Sequence, residues 1–349
     1  MAIAASSAGE VFAHLVRMND GVHHTRPKLV LERALGAMNL AHVGARATCH
    51  SQQHALQSDS PHALAASLNN AMLTVPVVTV AELLGFGPSQ WQQVAQWMAQ
   101  FVSCLSPLSS SMQLAAASQA ATELLDRLAC LVDASQPTSG QLLHHVLAHA
   151  ASCGWVERRA LLCNLVGLMS QTFEATAGLI GNTWLALSRS PGLLAEFLAA
   201  CEDPSSLGLQ MQMLVNEVCR FDAPIQNTRR FVTQDTVILD TPLPAGAPIL
   251  LLLGSANRDS TNVLQADELQ WNRVPQPYFS FGHGVHACPG RSMALVIAAS
   301  AITQAIQSTP LDHLSSLLVD YHPSVNARIP LFKAKCENPA PSSHLRDAT

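Results

Sequence analysis

The spacing of apolar residues predicts that the first half of the chain is largely helical. Apolar side chains recur three and four positions apart in segments rich in Ala, Leu and Gln, which places them on one face of an α-helix. The segments with this pattern are 27–42, 62–73, 89–103, 114–133 and 139–151. Residues 157–189 contain no proline and are apolar on nearly all sides, so they predict one long central helix.

The pattern of the second half predicts a mixture of helices and short strands. After Asp222, β-branched and apolar residues occur in runs that are separated by proline and glycine, which indicates strands joined by turns. The remaining elements are predicted as helices over 192–201, 205–221 and 292–306 and as strands over 231–239, 249–253 and 317–334. We therefore predict a mainly α protein with small β-sheets (α+β) that forms a single domain over residues 1–349, with residues 1–19 and 338–349 poorly ordered.

Composition narrows the possible functions. The 349 residues are 48% hydrophobic and 12% charged, which excludes a disordered chain or a coiled coil. The net charge of −5 includes no basic block and argues against nucleic acid as a partner. We see no uninterrupted apolar run of about 18 residues and no signal peptide, so we expect a cytoplasmic protein that acts on a small molecule away from membranes.

One of the nine cysteines lies in a sequence that suggests chemistry. The run Phe281-Gly-His-Gly284-Val-His286-Ala-Cys288-Pro-Gly290 is a glycine-rich loop that delivers Cys288 just before a predicted helix. N–H groups at a helix start lower the pKa of a thiol, and glycines let the backbone approach a flat cofactor. On the residues alone, the alternative is a buried thiol that follows a loop.

This run resembles the FxxGxHxCxG pattern of the haem-thiolate monooxygenases, the cytochrome P450 family. The resemblance implies that Cys288 is the axial thiolate ligand of the iron of haem b, and that Phe281 packs beside the sulfur. It also implies that Gly284 and Gly290 permit the tight loop and that His286 lies beside a haem propionate. Thiolate ligation favours O–O bond cleavage, which suits an oxygen-activating site.

A second motif of the same family precedes the predicted sheet. Glu217 and Arg220 form an ExxR pair on one face of a helix, and Arg273 in Leu269-Gln-Trp-Asn-Arg273 occupies the position of a third partner. An isolated ExxR is usually a surface ion pair. The resemblance instead implies a buried, charge-assisted network that holds the Cys288 loop in place.

Other positions match the family in the expected order along the chain. The segment from Asp20 to Lys28 resembles a helix that contacts the haem propionates, so His24, Lys28 and, further on, Arg230 are expected to bind them. The residues that correspond to the family's substrate pocket are Gln171, Phe173, Ile225 and Gln226.

The central helix departs from the family's motif at the position of an alcohol. Glu174 keeps the acid, Ala175 replaces the alcohol that normally helps to deliver protons, and Thr176 points about 100° away. Thr172 lies three residues before Ala175 on nearly the same face. We therefore expect Glu174, Thr172, Ala175 and Thr176 to define the catalytic segment, with protons supplied by Thr172, Gln171 or a substrate hydroxyl.

The resemblance implies a haem-thiolate oxidoreductase, and most directly a monooxygenase that oxidises a small apolar molecule with O₂ in secondary metabolism. Electrons would come from a ferredoxin and its reductase, which would dock near Arg291 and Arg26 or Arg33. The alternatives are peroxide-driven, isomerase, dehydratase or coupling chemistry, or a degenerate haem-binding partner subunit. The family's N-terminal region is largely lacking before Asp20, so we expect an open pocket or a cover from another chain or subunit.

Overall fold

A computed structural model of the chain describes residues 3–134, 141–201, 203, 206–274, 276–308 and 312–335. The expected disorder of residues 338–349 lies outside the described residues.

Helices make up most of the described structure. The α-helices are α1 (Ser7–His14), α2 (Val22–Gly36), α3 (Leu40–Gln53), α4 (Pro61–Leu83), α5 (Trp91–Val102), α6 (Ser111–Ala134), α7 (Leu142–Cys153), α8 (Arg158–Arg189), α9 (Pro191–Ala200), α10 (Leu207–Phe221), α11 (Leu253–Ala256), α12 (Arg291–Ser308) and α13 (Asp312–Ser315). Single 3-10 turns cover Val16–Met18, Pro88–Gln90, Ser103–Leu105 and Gly284–His286.

The strands form three small antiparallel pairs among the described residues. They are β1 (Thr228–Phe231), β2 (Thr236–Ile238), β3 (Thr241–Leu243), β4 (Pro248–Leu251), β5 (Leu318–Tyr321) and β6 (Pro330–Lys333). Strand β1 pairs with β4, β2 with β3, and β5 with β6. The predicted class, mainly α with small β-sheets, is therefore confirmed.

The predicted central helix is confirmed, whereas several other boundaries differ. Helix α8 covers Arg158–Arg189, and buried side chains from most of its length contribute to the core. The segment 27–42 holds two helices, because the Asn39 side chain accepts a hydrogen bond from the His42 N–H at 3.1 Å and starts α3. The predicted strand 231–239 is likewise split between β1 and β2.

Helix α4 is longer than its apolar pattern predicted, because it continues through Pro76 to Leu83. Among the described helices, it is the one whose length and hydropathy would suffice to cross a membrane. In this structure 61% of its most apolar stretch is buried inside the protein. Packing against α8 explains why the helix is apolar on all sides.

Residues 1–19, for which the sequence predicted no helix or strand, contain helix α1 and the 3-10 turn Val16–Met18. Helix α1 begins at a side-chain cap, where Ser6 accepts the Gly9 N–H at 3.2 Å. Val11 and Leu15 are fully buried against α6 and α8. The short segment gains order from this tertiary packing, which a local sequence pattern does not reveal.

Candidate functional site

The loop from Phe281 to Gly290 is shaped by its glycines. Gly282 and Gly284 have φ values of +70° and +62°, which side-chain-bearing residues rarely adopt. A Cβ at Gly282 would lie 2.9 Å from the His286 carbonyl oxygen. The loop closes through the Cys288 N–H, which donates to the Phe281 carbonyl at 2.7 Å. It therefore brings Cys288 to the start of α12 in one defined conformation.

Cys288 is exposed, although protein atoms surround much of its sulfur. Burial raises the pKa of the Cys288 thiol, and a hydrogen bond from the Gly290 N–H and the charges of Lys28 and Arg291 oppose this shift. The expectation of a lowered thiol pKa is therefore wrong, because desolvation outweighs the helix start and the two cations. The accessible sulfur is still the soft ligand that a haem iron requires at this position.

The network predicted around Glu217 is formed in full. Arg220 donates to both carboxylate oxygens of Glu217 at 2.9 and 2.7 Å, and Arg273 Nε donates to Oε1 at 3.0 Å. Glu217 and Arg220 are only 4% and 1% exposed. One buried carboxylate thus accepts charge-assisted hydrogen bonds from two guanidinium groups, which stabilise the arrangement.

Asn257 and Ser280, which sequence reasoning missed, connect this network to the cysteine loop. Arg220 Nη1 donates to the Asn257 carbonyl at 3.0 Å, and the Asn257 side chain accepts the Phe279 N–H at 2.6 Å. Asn257 also donates to the Ser280 hydroxyl at 2.8 Å. The sequence around Asn257, Asn257-Arg-Asp, is polar but matches no motif that would have indicated this role.

The residues expected to bind haem propionates cluster beside the loop. The His24 and His286 rings lie 4.3 Å apart, and His286 Nε2 pairs with Asp20 at 2.8 Å. Lys28 donates to the Ala287 carbonyl and pairs with Glu32 at 3.3 Å, so it holds the residue before Cys288.

Arg230 is exposed at the edge of the same cluster. Its guanidinium bonds to the Thr228 hydroxyl at 3.2 Å and to the Arg229 carbonyl at 2.9 Å, and its charge acts on Asp20. From strand β1, the Arg230 side chain is therefore near enough to Asp20 for its charge to act on this cluster.

These groups fit a haem. Burial, with the charges of His286 and Lys28, lowers the pKa of His24, which is 5% exposed. Its Nε2 has no hydrogen-bond partner among the described residues. A buried ring nitrogen without a partner beside two basic groups and an accessible thiol suits a flat, iron-containing ligand with carboxylates at its edge.

The segment of α8 that was predicted to be catalytic lies at the boundary between the core and accessible space. Glu174 is half-buried, and burial raises the pKa of its carboxyl while Arg17 lowers it. Thr172 Oγ1 donates to the Leu168 carbonyl at 2.8 Å, and Gln171 Nε2 donates to the Gly167 carbonyl at 3.1 Å. Both proposed proton carriers therefore bond to their own helix.

The two positions that follow Glu174 differ in their surroundings. Ala175 is half-buried, whereas Thr176 is only 2% exposed and lies in the core. The burial of Thr176 agrees with the expected turn of about 100° away from Ala175 along the helix, and a catalytic role for Thr176 stays a prediction.

Of the residues expected to line the substrate pocket, Phe173 lies in the apolar core, whereas Ile225 and Gln226 lie at the junction that follows α10. Phe173 is 8% exposed and packs in the same apolar cluster as Met293 of α12. Ile225 pairs with Ala327 in an isolated bridge. Gln226 donates to the Ala223 carbonyl at 2.6 Å, so its side chain supports the backbone at this junction.

Comparison with known proteins identifies cytochromes P450 as relatives of this chain. A sequence model of the cytochrome P450 family matches residues 209–314. The biotin biosynthesis cytochrome P450 of Bacillus subtilis is 34% identical over 167 residues, which cover 48% of this chain and 40% of that protein. The putative cytochrome P450 133B1 of Xylella fastidiosa is 31% identical over 216 residues, which cover 61% of this chain and 52% of that protein. The chain thus spans about half the length of these curated relatives.

Solved structures share the fold over almost the whole chain. P450BioI, in complex with an acyl carrier protein that carries hexadec-9Z-enoic acid, superposes with a TM-score of 0.73 and 21% identity. That alignment covers 94% of this chain and 84% of P450BioI. CalO2 superposes with a TM-score of 0.76 and 20% identity, over 93% of this chain and 80% of CalO2. The predicted fold is confirmed by these similarities.

Proposed function

We propose that this chain is a haem-thiolate oxidoreductase of the cytochrome P450 type that oxidises a small, largely apolar molecule, in line with its sequence and fold similarities. The observation that carries this proposal is the presentation of Cys288. Its accessible sulfur ends a loop that Lys28 holds at Ala287 and that the buried Glu217 network holds through Asn257.

The residues of the site have distinct tasks in this proposal. Haem b supplies, when bound, an iron whose thiolate ligand favours O–O cleavage. Cys288 would be that ligand, and His24, His286 and Arg230 would hold the haem carboxylates. Glu174, whose pKa is raised by burial, retains its proton to a higher pH than an ordinary glutamic acid and can pass it toward the substrate side.

Electrons would come from a ferredoxin with its reductase. Arg26 and Arg33 are exposed on α2, and Arg291 is exposed beside the loop and lies over the Tyr278 ring at 4.8 Å. Such cations suit an acidic partner. A role in biosynthesis is supported by one relative, the biotin biosynthesis cytochrome P450 of Bacillus subtilis, and the proposed location of this role is the cytoplasm.

The proposed activity is tested with the haem-loaded protein, a surrogate ferredoxin, its reductase and NADH. A panel of small apolar compounds is incubated under ¹⁸O₂, and we expect one labelled oxygen in the product of an accepted compound. The Cys288→Ser variant serves as a control and is expected to give no labelled product. Turnover without labelled oxygen, or equal turnover by the variant, would contradict the monooxygenase proposal.

A peroxide-using enzyme is the second candidate, and Ala175 favours it. No alcohol follows Glu174, and the Thr172 hydroxyl and the Gln171 amide both donate to helix carbonyls. If O₂ is the oxidant, an Ala175→Thr variant should divert electrons from peroxide release into product. If peroxide is the oxidant, the original protein should form product from peroxide alone, and Ala175→Thr should not raise the yield.

A further inference from the structure

Two aromatic rings hold the side chain of Arg291 beside the cysteine loop. Arg291 is the first residue of α12 and follows Cys288 by three positions. Its guanidinium carbon lies 4.8 Å from the centre of the Tyr278 ring and 5.5 Å from the centre of the Phe281 ring. A cation within about 6 Å of a ring centre is attracted to the ring face. The exposed arginine is therefore stacked against the loop instead of extending freely into solvent.

A hydrogen-bonded asparagine fixes the same guanidinium. Asn216 Oδ1 accepts hydrogen bonds from Arg291 Nη2 at 3.4 Å and from the Tyr278 hydroxyl at 2.8 Å. Tyr278 is 7% exposed, so the ring on which the arginine stacks is itself held in place. Asn216 lies on α10 directly before Glu217 of the loop-holding network. One helix thus positions both the loop and this arginine.

The contacts of Arg291 bring its charge close to the Cys288 sulfur. Phe281, on which the guanidinium lies, accepts the Cys288 N–H through its carbonyl at 2.7 Å. In agreement with this geometry, the charges of Lys28 and Arg291 both lower the pKa of the Cys288 thiol against the effect of burial. The loop and the stacked arginine therefore form one unit around the sulfur.

The two cations beside the sulfur differ in their partners. Lys28 pairs with the Glu32 carboxylate at 3.3 Å, which balances much of its charge. Within the described parts of the chain, no carboxylate pairs with Arg291, whose side chain bonds to the neutral Asn216. The charge of Arg291 therefore remains available to a negative charge that develops at the sulfur or at a metal bound to it.

We propose that Arg291 is a positioning residue that raises the reduction potential of the haem iron through its charge beside the Cys288 thiolate. One electron from the ferredoxin converts ferric haem to ferrous haem and makes the haem-thiolate site more negative by one unit. A fixed positive charge stabilises the more negative state, so it makes reduction more favourable. This inference rests on the proposed function, because it requires haem on Cys288. It also differs from a docking role, since the effect needs no bound ferredoxin.

The test measures the midpoint potential of the haem-loaded protein by anaerobic titration with dithionite and redox dyes, without a ferredoxin. Arg291→Gln removes the charge and keeps an amide that can bond to Asn216. At a fixed dye potential, its ratio of ferrous to ferric haem should be about three- to tenfold lower than in the original protein, which corresponds to about 30–60 mV for one electron. Arg291→Lys keeps the charge and should retain most of the original potential.

The matched control is Arg158→Gln, which removes an exposed arginine of α8 that pairs with Asp133 of α6 at 2.8 Å. Its potential should equal that of the original protein. An unchanged potential in Arg291→Gln, a potential in Arg291→Lys as low as in Arg291→Gln, or an equal shift in Arg158→Gln would overturn the inference. The carbon monoxide spectrum separates the two possible failures. If the original protein shows thiolate ligation in these cases, only the inference fails; if it shows none, the proposed function itself fails.

Discussion

Glu217 makes more charged contacts than any other residue of the loop-holding network. It accepts two hydrogen bonds from Arg220, one from Arg273 and one from the Gln270 N–H at 3.1 Å. Its removal leaves two guanidinium groups, one of them fully buried, without their counter-ion. The loop that carries Cys288 depends on this network through Asn257.

We predict that Glu217→Gln lowers the free energy of unfolding by about 3–5 kcal/mol, because it breaks a buried ion pair and leaves the charges of its partners unbalanced. Urea unfolding of the haem-loaded protein provides the measurement. The control is Asp133→Asn, which removes an exposed pair with Arg158 at 2.8 Å and should change stability by less than about 1 kcal/mol. Similar losses in both variants would contradict the role given to Glu217.

At the scale of residues, the sequence identified the residues that belong to a known motif and missed those whose role depends only on their position in the fold. Cys288, Glu217, Arg220 and Arg273 were predicted because their spacing follows a known pattern. Asn257 was missed, since its importance comes from a fold that brings it between Arg220 and Phe279. The pKa of Cys288 was misjudged because desolvation depends on the surrounding elements.

At the scale of elements, one buried side chain of α8, that of Asn164, holds the backbone just after α1. Asn164 is 2% exposed and satisfies both the Val16 N–H and the His14 carbonyl. Without it, two backbone groups next to a fully buried Leu15 would lose their partners. The segment would then be held on α8 by apolar packing and by the Glu10–Arg159 ion pair.

We predict that Asn164→Leu raises deuterium uptake in residues 3–20 while α8 stays protected, because unpaired backbone groups weaken the docking by about 1–3 kcal/mol. Hydrogen exchange followed by mass spectrometry measures this directly. Asn262→Ala, at an exposed asparagine that bonds only to Asp259 and Thr261, should leave the pattern unchanged. Unaltered uptake in Asn164→Leu would show that the two hydrogen bonds do not hold the segment.

Elements with long, uniform patterns were predicted well, and those whose limits depend on the tertiary structure were not. Helix α8 was found almost to the residue because no proline interrupts it and most of its length is apolar on nearly all sides. The predicted helix 62–73 was too short, because α4 continues through Pro76, which lies inside the helix in a buried environment. Helix α1 was missed because it is short and depends on contacts with α6 and α8.

At the scale of the whole molecule, buried histidines set the dependence of stability on pH. Burial lowers the pKa of five of them below the usual value, and these are His24, His50, His54, His145 and His322. Below pH 6.5 the unfolded chain therefore binds more protons than the folded chain at these positions. Glu174 and Asp222, whose pKa values are raised by burial, act in the opposite direction but are fewer.

We predict that the free energy of unfolding falls as the pH is lowered from 7.5 to 5.5, because protonation favours the unfolded chain in this range. Urea midpoints of the haem-loaded protein at several pH values measure the effect. His50→Gln removes a fully buried titrating group and should make the dependence less steep. Stability that stays constant or rises on acidification would contradict this account.

The central claim is that this chain holds haem through the Cys288 thiolate. The most direct measurement is the absorption spectrum of the purified, dithionite-reduced protein with carbon monoxide, with Cys288→Ser as control. The account predicts a strongly red-shifted Soret band that disappears in the variant, because only a thiolate ligand shifts the band so far. A band typical of a neutral axial ligand in the original protein, or no bound haem, would contradict it.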